Sequence, residues 1–203
     1  MILTSPTIVD LITNGLPPLI ENADPEQLEP GEMEGGQYDL RVIEVRRALK
    51  SEQGVLIGQT ERRTLKTEEE PRVVFGRGSD NSGWELYFGH YYLIKTVEII
   101  NMPVTLRGII EPRTTTFRSA AHLWLEEEER PLTHLLHGGV VPGYQGQLTF
   151  GLRLLLDVPF RLEFKARVAS IAFAEMEAEE PCGYSGVWQG GRVSTEGQKE
   201  RGF

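Results

Sequence analysis

The chain has 203 residues, one cysteine and a formal net charge of −9. This length is most simply one domain, with two small domains as the alternative, and it can bury a core without disulfides. Cys182 alone cannot form a disulfide within the chain. The acidic balance argues against broad binding to nucleic acid or anionic membranes, because both need basic surfaces.

The N-terminal residues, the apolar segments and the single cysteine bear on the cellular location of the protein. Residues 1–20 lack the basic start and long apolar run of a signal peptide. No stretch approaches the roughly 20 apolar residues that a transmembrane helix needs. A single cysteine fits a reducing compartment. We therefore expect a cytoplasmic protein with no membrane partner.

A short helix is predicted at the start of the chain. Ser5 is the expected N-cap, Pro6 fits the first turn and Gly15 follows the expected end. Apolar residues at positions 8, 9, 11 and 12 form one face. Residues 21–36 are acidic and rich in Gly and Pro, which predicts a loop.

The rest of the chain has a β pattern, with short apolar segments separated by Gly, Pro, Asn and Asp. Such a series indicates a barrel or sandwich. The acidic runs at residues 68–70 and 126–129 are expected in solvated loops or helix ends, and the polar residues 193–203 are expected to fray. The candidate strands are residues 40–42, 55–57, 73–75, 91–94, 97–100, 104–110, 148–156, 160–164 and 168–173.

Residues 113–118 read Arg-Thr-Thr-Thr-Phe-Arg and follow an apolar candidate strand. Two arginines supply forked donors, and hydroxyls and backbone N–H groups can complete the shell around a polyphosphate. The alternative is that the arginines pair with surface acids and the threonines are ordinary strand residues.

Two glycine-containing motifs follow. Residues 140–146 read Val-Val-Pro-Gly-Tyr-Gln-Gly, and residues 184–190 read Tyr-Ser-Gly-Val-Trp-Gln-Gly. Glycine allows backbone to approach a ligand closely, so the second motif could close over one. The alternative for its polar member, Gln189, is a solvated loop amide.

These three motifs, in this order, resemble the trimeric dCTP deaminase and dUTPase superfamily. Residues 36–41 and 91–98 are also similar to the family's Tyr/Val-Asp-Leu-Arg segment and its Thr-x-Glu strand. The resemblance implies a mainly β, distorted barrel (dUTPase-like, β-clip) with a short N-terminal helix. That domain would span residues 1–192, with a polar tail at 193–203, and would form a homotrimer with sites between subunits.

The resemblance also implies a ligand, a pyrimidine deoxynucleoside triphosphate with Mg²⁺. Threonine replaces serine in the family's Arg-Ser-Ser-x-x-Arg motif and keeps the hydroxyl, while Val187 replaces a lysine of the closing segment. Asp39 and Arg41 are expected to be a structural pair rather than catalytic. The residues implied in binding are Arg113, Thr114, Thr115 and Arg118 for phosphate, and Tyr184, Trp188 and Gln189 for closure.

The departures fall where the family places acids. The aspartate of the Pro-Gly turn is Val141 here, and the glutamate that shuttles protons in deaminases is Gly151. Neither side chain can accept or donate a proton, so general acid–base chemistry cannot come from these positions. The candidate substitutes, chosen on proximity in sequence, are Glu98, Glu126, Glu127, Glu128 and Glu129.

A metal site is not expected. His134 and His137 could present two ligands on one face, but ordinary loop or trimer-axis histidines are the simpler interpretation. Zinc-dependent nucleobase deaminases need a Cys-x-x-Cys signature, which one cysteine excludes.

Two functions from different classes therefore remain open. The chain is either a dCTP deaminase-like hydrolase of dCTP or dUTP, or an inactive relative that acts as a nucleotide sensor or structural trimer. A scaffold without any ligand is a third possibility. Binding without turnover would distinguish the second from the first.

Overall fold

The computed structural model describes most of the chain, and the statements below concern that part. The described residues are 1–50, 56–57, 61–63, 65–75, 82–119, 121–125, 139–177, 183–185, 189–190 and 199–201.

Four helical segments lie in the described residues. The first, α1 (Ser5–Thr13), buries Ile8 and Ile12. The sequence placed its cap one residue late: Thr4 is the N-cap, and the Ser5 hydroxyl instead donates to the Met33 carbonyl at 2.7 Å. None of these helices is long and apolar enough to cross a bilayer. The other segments are two 3₁₀ helices, Pro25–Leu28 and Glu34–Gly36, inside the predicted loop, and α2 (Thr114–Arg118).

Strands dominate the rest of the described chain. In order they are β1 (Ile20–Glu21), β2 (Gln37–Ala48), β3 (Leu56–Ile57), β4 (Glu61–Arg63), β5 (Thr67–Glu69), β6 (Val73–Val74), β7 (Ser82–Leu86), β8 (Tyr91–Asn101), β9 (Leu106–Pro112), β10 (Ala121–Leu125), β11 (Gly139–Val140), β12 (Gln145–Leu154), β13 (Phe160–Glu163), β14 (Arg167–Glu175) and β15 (Lys199–Arg201).

The main sheet has nine strands. Its order is β10-β12-β8-β2-β14-β9-β11, with β1 added to β8 and β5 added to β2. Two three-stranded sheets, β13-β7-β6 and β15-β4-β3, accompany it. The main sheet curls into a half-barrel, which confirms the predicted mainly β, barrel-like class with a short N-terminal helix.

The curl is centred on β2, which pairs with different strands along its length. Residues 37–41 pair with β14, and residues from Val42 onward pair with β8. The register shifts between Val42 and Glu44 on one side and between Arg167 and Ala169 on the other. Because a bulge bends a strand and increases its twist, these irregularities turn the sheet around its core.

Several elements differ from their prediction. Residues 91–94 and 97–100 belong to one continuous strand, β8, because Lys95 and Thr96 between them pair with Glu44 and Val42 of β2 across the register shift. The acidic run at 68–70 contributes to β5, paired with β2, rather than a loop. Lys199–Arg201, expected to fray, pairs with β4. Residues 193–198 lie outside the described residues.

A buried ion pair joins β2 to β8 beside the bend. Arg41 Nε lies 2.7 Å from Glu98 Oε1, and the Arg41 backbone N–H donates to Glu98 Oε2 at 2.9 Å. The Tyr38 hydroxyl donates to Oε1 at 3.4 Å. Glu98 is fully buried. Burial, together with the charge of Glu98, raises the pKa of Tyr38, so the hydroxyl stays a donor.

Removing one member of this pair should destabilise the fold strongly. We expect Arg41→Met to lower the free energy of unfolding by about 3–5 kcal/mol, because it leaves the Glu98 charge buried and unpaired. Urea unfolding followed by circular dichroism measures the change. Arg161→Met removes an exposed arginine from its pair with Glu85 and should change the free energy of unfolding by no more than about 1 kcal/mol. Equal effects of the two substitutions would contradict a structural role for the buried pair.

Candidate functional site

The predicted phosphate motif lies at the end of β9, where the chain turns into α2. The Arg113 backbone N–H donates to the Val168 carbonyl at 3.3 Å, and the Thr116 hydroxyl donates to the same oxygen at 3.1 Å. These bonds fasten the turn to the start of β14. Thr116 is buried, whereas Thr114 and Thr115 are exposed. The structure therefore leaves two of the three hydroxyls available at the surface.

The two arginines of the motif have different surroundings. Arg113 Nη1 forms an ion pair with Asp39 Oδ2. Burial, and then the positive charge of Arg167, lower the pKa of Arg113. Arg118 is exposed, and its side chain forms no ion pair or hydrogen bond with another described residue. The motif thus combines one anchored guanidinium with one that can reach solvent.

A cavity of about 550 Å³ adjoins α2 on the side of β13 and β14. It brings Arg167 next to the threonines of the motif. Sequence reasoning missed this residue, because a lone arginine at the start of a strand carries no distinguishing pattern. The lining of the cavity includes the buried apolar residues Ile94 and Leu152 and the exposed polar residues Thr115, Ser119, Arg161 and Arg167.

The closing segment packs against the Pro-Gly turn of the same chain. The Tyr184 N–H donates to the Pro142 carbonyl at 2.8 Å. The Gln189 side chain accepts from the Gln145 N–H at 3.0 Å and donates to the Gly143 carbonyl at 2.9 Å. Gln189 is therefore a specific bridge to the turn, which differs from the solvated amide considered as its alternative.

Gly143 makes this close packing possible. Its φ of +80° is in the left-handed region, and a Cβ there would lie 2.6 Å from the Tyr184 nitrogen. Any larger residue would have to push the closing segment away. Trp188, the aromatic predicted beside Gln189, lies outside the described residues.

The two positions where the family has acids are not equivalent in surroundings. Val141 is half-buried in the turn after β11. Gly151 is buried in β12, opposite Leu93 of β8 and Trp124 of β10. Neither supplies a titratable group, so the structure provides no proton carrier at either place.

The candidate substitute Glu98 is engaged elsewhere. Both of its oxygens accept hydrogen bonds from Arg41, and the carboxylate is fully buried. That geometry suits a structural role. The described residues contain no group of three His, Cys, Asp or Glu that could hold a metal ion. The other candidates lie outside the described residues: Glu126, Glu127, Glu128, Glu129, His134 and His137.

The phosphate motif and the closing turn lie at opposite ends of the sheet. Val140 pairs with Gly108 at the start of β9, whereas Arg113 follows its end, about 17 Å further along the strand. Likewise, β12 begins at the turn and runs about 30 Å to Leu154, which pairs with Ala121 just after α2. The described residues of one chain therefore do not bring the two predicted halves together.

A second charged group, Asp24, connects the phosphate end to the bend of β2. Arg167 Nη2 lies 3.1 Å from Asp24 Oδ2, and Arg41 Nη1 lies 3.6 Å from the same oxygen. Burial alone would raise the pKa of Asp24, but the Arg167 hydrogen bond and the Arg41 charge outweigh it and hold that pKa below its usual value. Asp24 is thus an ionised clamp between two arginines.

Comparison with known proteins identifies relatives over most of the chain. A profile of the dCTP deaminase-like family matches residues 2–176. A probable deoxyuridine 5'-triphosphate nucleotidohydrolase of Methanosarcina mazei is 30% identical over 176 residues, 85% of this chain and 88% of the relative. A dUMP-forming dCTP deaminase of Corynebacterium glutamicum is 27% identical over 125 residues, 61% of this chain and 58% of the relative.

A solved structure has a similar fold. The 2'-deoxycytidine 5'-triphosphate deaminase of Agrobacterium tumefaciens superposes with a TM-score of 0.58 at 16% identity. The match covers 85% of this chain and 47% of that chain, so this chain spans about half of that protein's length. At this identity the likeness shows the fold alone.

The clamp at Asp24 predicts how stability depends on pH. Because the folded-state pKa lies below the unfolded value, the contribution of Asp24 is present above that value and is lost as the pH falls through the folded pKa. We expect the free energy of unfolding of the wild type to exceed that of Asp24→Asn by more at about pH 6 than at about pH 3.5. Urea titrations of both proteins at each pH test this. Parallel pH dependences would show that Asp24 is not held ionised.

Proposed function

Because the chain belongs to the dCTP deaminase-like family, we propose that it is a cytoplasmic protein that binds a pyrimidine deoxynucleoside triphosphate. The observation that carries the proposal is the end of β9, where exposed Thr114, Thr115 and Arg118 accompany the anchored Arg113. Relatives named as a dUTP nucleotidohydrolase and a dCTP deaminase support this ligand class.

The phosphate chain would lie against α2. Arg118 supplies planar, forked donors toward solvent, and the two exposed hydroxyls add neutral donors beside it. An acidic protein can hold a triphosphate in this way if the positive charge is local. Mg²⁺ would arrive bound to the phosphates, which is its usual mode with nucleotides and requires no protein cage of carboxylates.

A complete site would need a second subunit. The closing segment with Tyr184 and Gln189 lies at the opposite end of the sheet from Arg118, and the strands between them are paired along their length. We propose that a homotrimer joins the phosphate end of one subunit to the closing end of the next. Light scattering at micromolar concentration should give the mass of three chains, and a monomer would refute the trimer.

Binding with little or no turnover follows from the residues at the catalytic positions. Val141 and Gly151 have no titratable side chain, and both carboxylate oxygens of Glu98 accept hydrogen bonds from Arg41. The second candidate function is hydrolysis of dCTP or dUTP through a substitute base among Glu126, Glu127, Glu128 and Glu129. The names of the relatives favour that candidate.

Nucleotide binding should depend on Arg118. We expect Arg118→Ala to weaken binding of dUTP or dCTP by about 1.5–3 kcal/mol, the scale of a hydrogen bond to a charged group. Calorimetry with Mg²⁺ present measures it. Arg72→Ala removes another exposed arginine outside the motif and should leave the affinity unchanged. Equal affinity of folded Arg118→Ala and wild type would remove Arg118 from the site.

Catalysis should be absent or very slow. General acid–base groups contribute about 10²–10⁴-fold, so deaminase and diphosphatase rates should fall by about that factor relative to an enzyme that has the acids. Product analysis after incubation with Mg²⁺ and each nucleotide tests this, and robust turnover would refute it.

A double substitution tests whether the site lacks only the two acidic residues. Val141→Asp with Gly151→Glu restores both acids, and circular dichroism must confirm folding because Gly151 is buried. Restored activity would show that the phosphate contacts and geometry persist. Mutation of residues 126–129 is the matching test if the wild type proves active.

A further inference from the structure

We propose that Asp39 is a positioning residue that orients the guanidinium of Arg113 for phosphate, and that Ser170 fixes Asp39 for this task. The inference rests on the proposed function, which places Arg113 in the phosphate site. Neither Asp39 nor Ser170 would touch the ligand. Their effect would pass through the arginine.

Asp39 is held on several sides. Its backbone N–H donates to Gln27 Oε1 at 2.8 Å, and its carbonyl accepts from Gln27 Nε2 at 2.9 Å. Gln27 itself is buried. On the neighbouring strand, Ser170 pairs in register with Asp39 and donates its hydroxyl to Oδ1 at 2.7 Å. The backbone and one carboxylate oxygen of Asp39 are therefore fixed independently of Arg113.

The second carboxylate oxygen is directed to Arg113. Oδ2 of Asp39 pairs with Nη1, while the Arg113 backbone is tied to Val168. A guanidinium carries five N–H donors, so this contact leaves most of them for a ligand. The Arg113 side chain is one-third exposed, which keeps it accessible to a phosphate. An arginine ordered in advance loses less conformational freedom when it binds.

Asp39 also offsets the repulsion between the positive charges of Arg113 and Arg167. Burial, and then the positive charge of Arg167, lower the pKa of Arg113. Without a neighbouring carboxylate, repulsion between the two guanidinium groups would favour arrangements that move Arg113 away. Asp39 opposes that repulsion at Arg113, as Asp24 does at Arg167.

Two effects of opposite sign make the proposal decidable. A carboxylate near a bound phosphate repels it through space, so loss of the charge would tighten binding. Loss of the orienting contact would weaken it. We expect orientation to prevail, because solvent screens the longer-range repulsion while the Asp39–Arg113 contact is direct.

The experiment compares Asp39→Asn and Ser170→Ala with wild type, using calorimetry with dUTP and with inorganic tripolyphosphate. Asp39→Asn should lower the affinity for both ligands by about tenfold, the scale of one charge-assisted hydrogen bond. Ser170→Ala keeps the Asp39 charge and should lower the affinity for both ligands by less. Asp10→Asn makes the same chemical change at an exposed position of α1, where Asp10 Oδ1 accepts from the Asn14 side chain, and should have no effect.

A double-mutant cycle isolates the route of the effect. If Asp39 acts through Arg113, then Arg113→Ala should lose at least as much affinity, and adding Asp39→Asn to it should cause no further loss. Thermal melting of each variant separates lost affinity from lost folding. Unchanged or tighter binding by Asp39→Asn would overturn the proposal, as would additive effects in the cycle.

A separate readout distinguishes this inference from the proposed function. If wild type binds neither ligand, the proposed function fails, and NMR relaxation of the Arg113 Nε–H group decides the positioning role. An ordered group in wild type that becomes mobile in Asp39→Asn would support it. Equal mobility in both proteins would overturn it. If wild type binds and Arg113→Ala alone weakens binding, the function stands and the positioning role fails.

Discussion

The rest of the structure depends on the pairing of one buried charge. Glu98 lies in β8 with no exposure to solvent, and an ionised carboxylate there is tolerated only if its oxygens are satisfied. Arg41 satisfies both, from its side chain and its backbone, beside the bulge where β2 changes partners. The register of β2 on β8 is therefore set by polar contacts as well as by apolar packing.

The candidate phosphate end is built outward from that pairing. Arg41 also reaches Asp24, and Asp24 holds Arg167 at the start of β14. Two residues before Arg41 on the same strand, Asp39 holds Arg113. Carboxylates and guanidiniums thus alternate from the core of the sheet to its surface. This arrangement keeps several cations close together on a chain whose net charge is −9.

The same sheet that organises one end separates it from the other. Paired strands cannot fold back on themselves, so β9 and β12 hold α2 far from the turn that Gln189 bridges. Each end is locally complete: one has donors for phosphate, and the other has a glycine that permits close backbone packing. The chemistry between them lacks the acids, since Val141 and Gly151 stand at those positions. The described residues thus place polar groups at both ends of the sheet and no titratable side chain at positions 141 and 151.

The sequence by itself determined the fold class, the short N-terminal helix, most of the strand segments and the positions of the three motifs. These depend on local alternation, turn residues and spacing. It did not place the helix cap at Thr4, join the two halves of β8 or identify Arg167. Only the tertiary structure assigned Asp39 to Arg113 and Glu98 to Arg41, and only it showed that the motifs lie at opposite ends of the sheet. Those facts depend on which distant strands pair and in what register, and pairing is decided by long-range packing and buried charge that a local pattern does not contain.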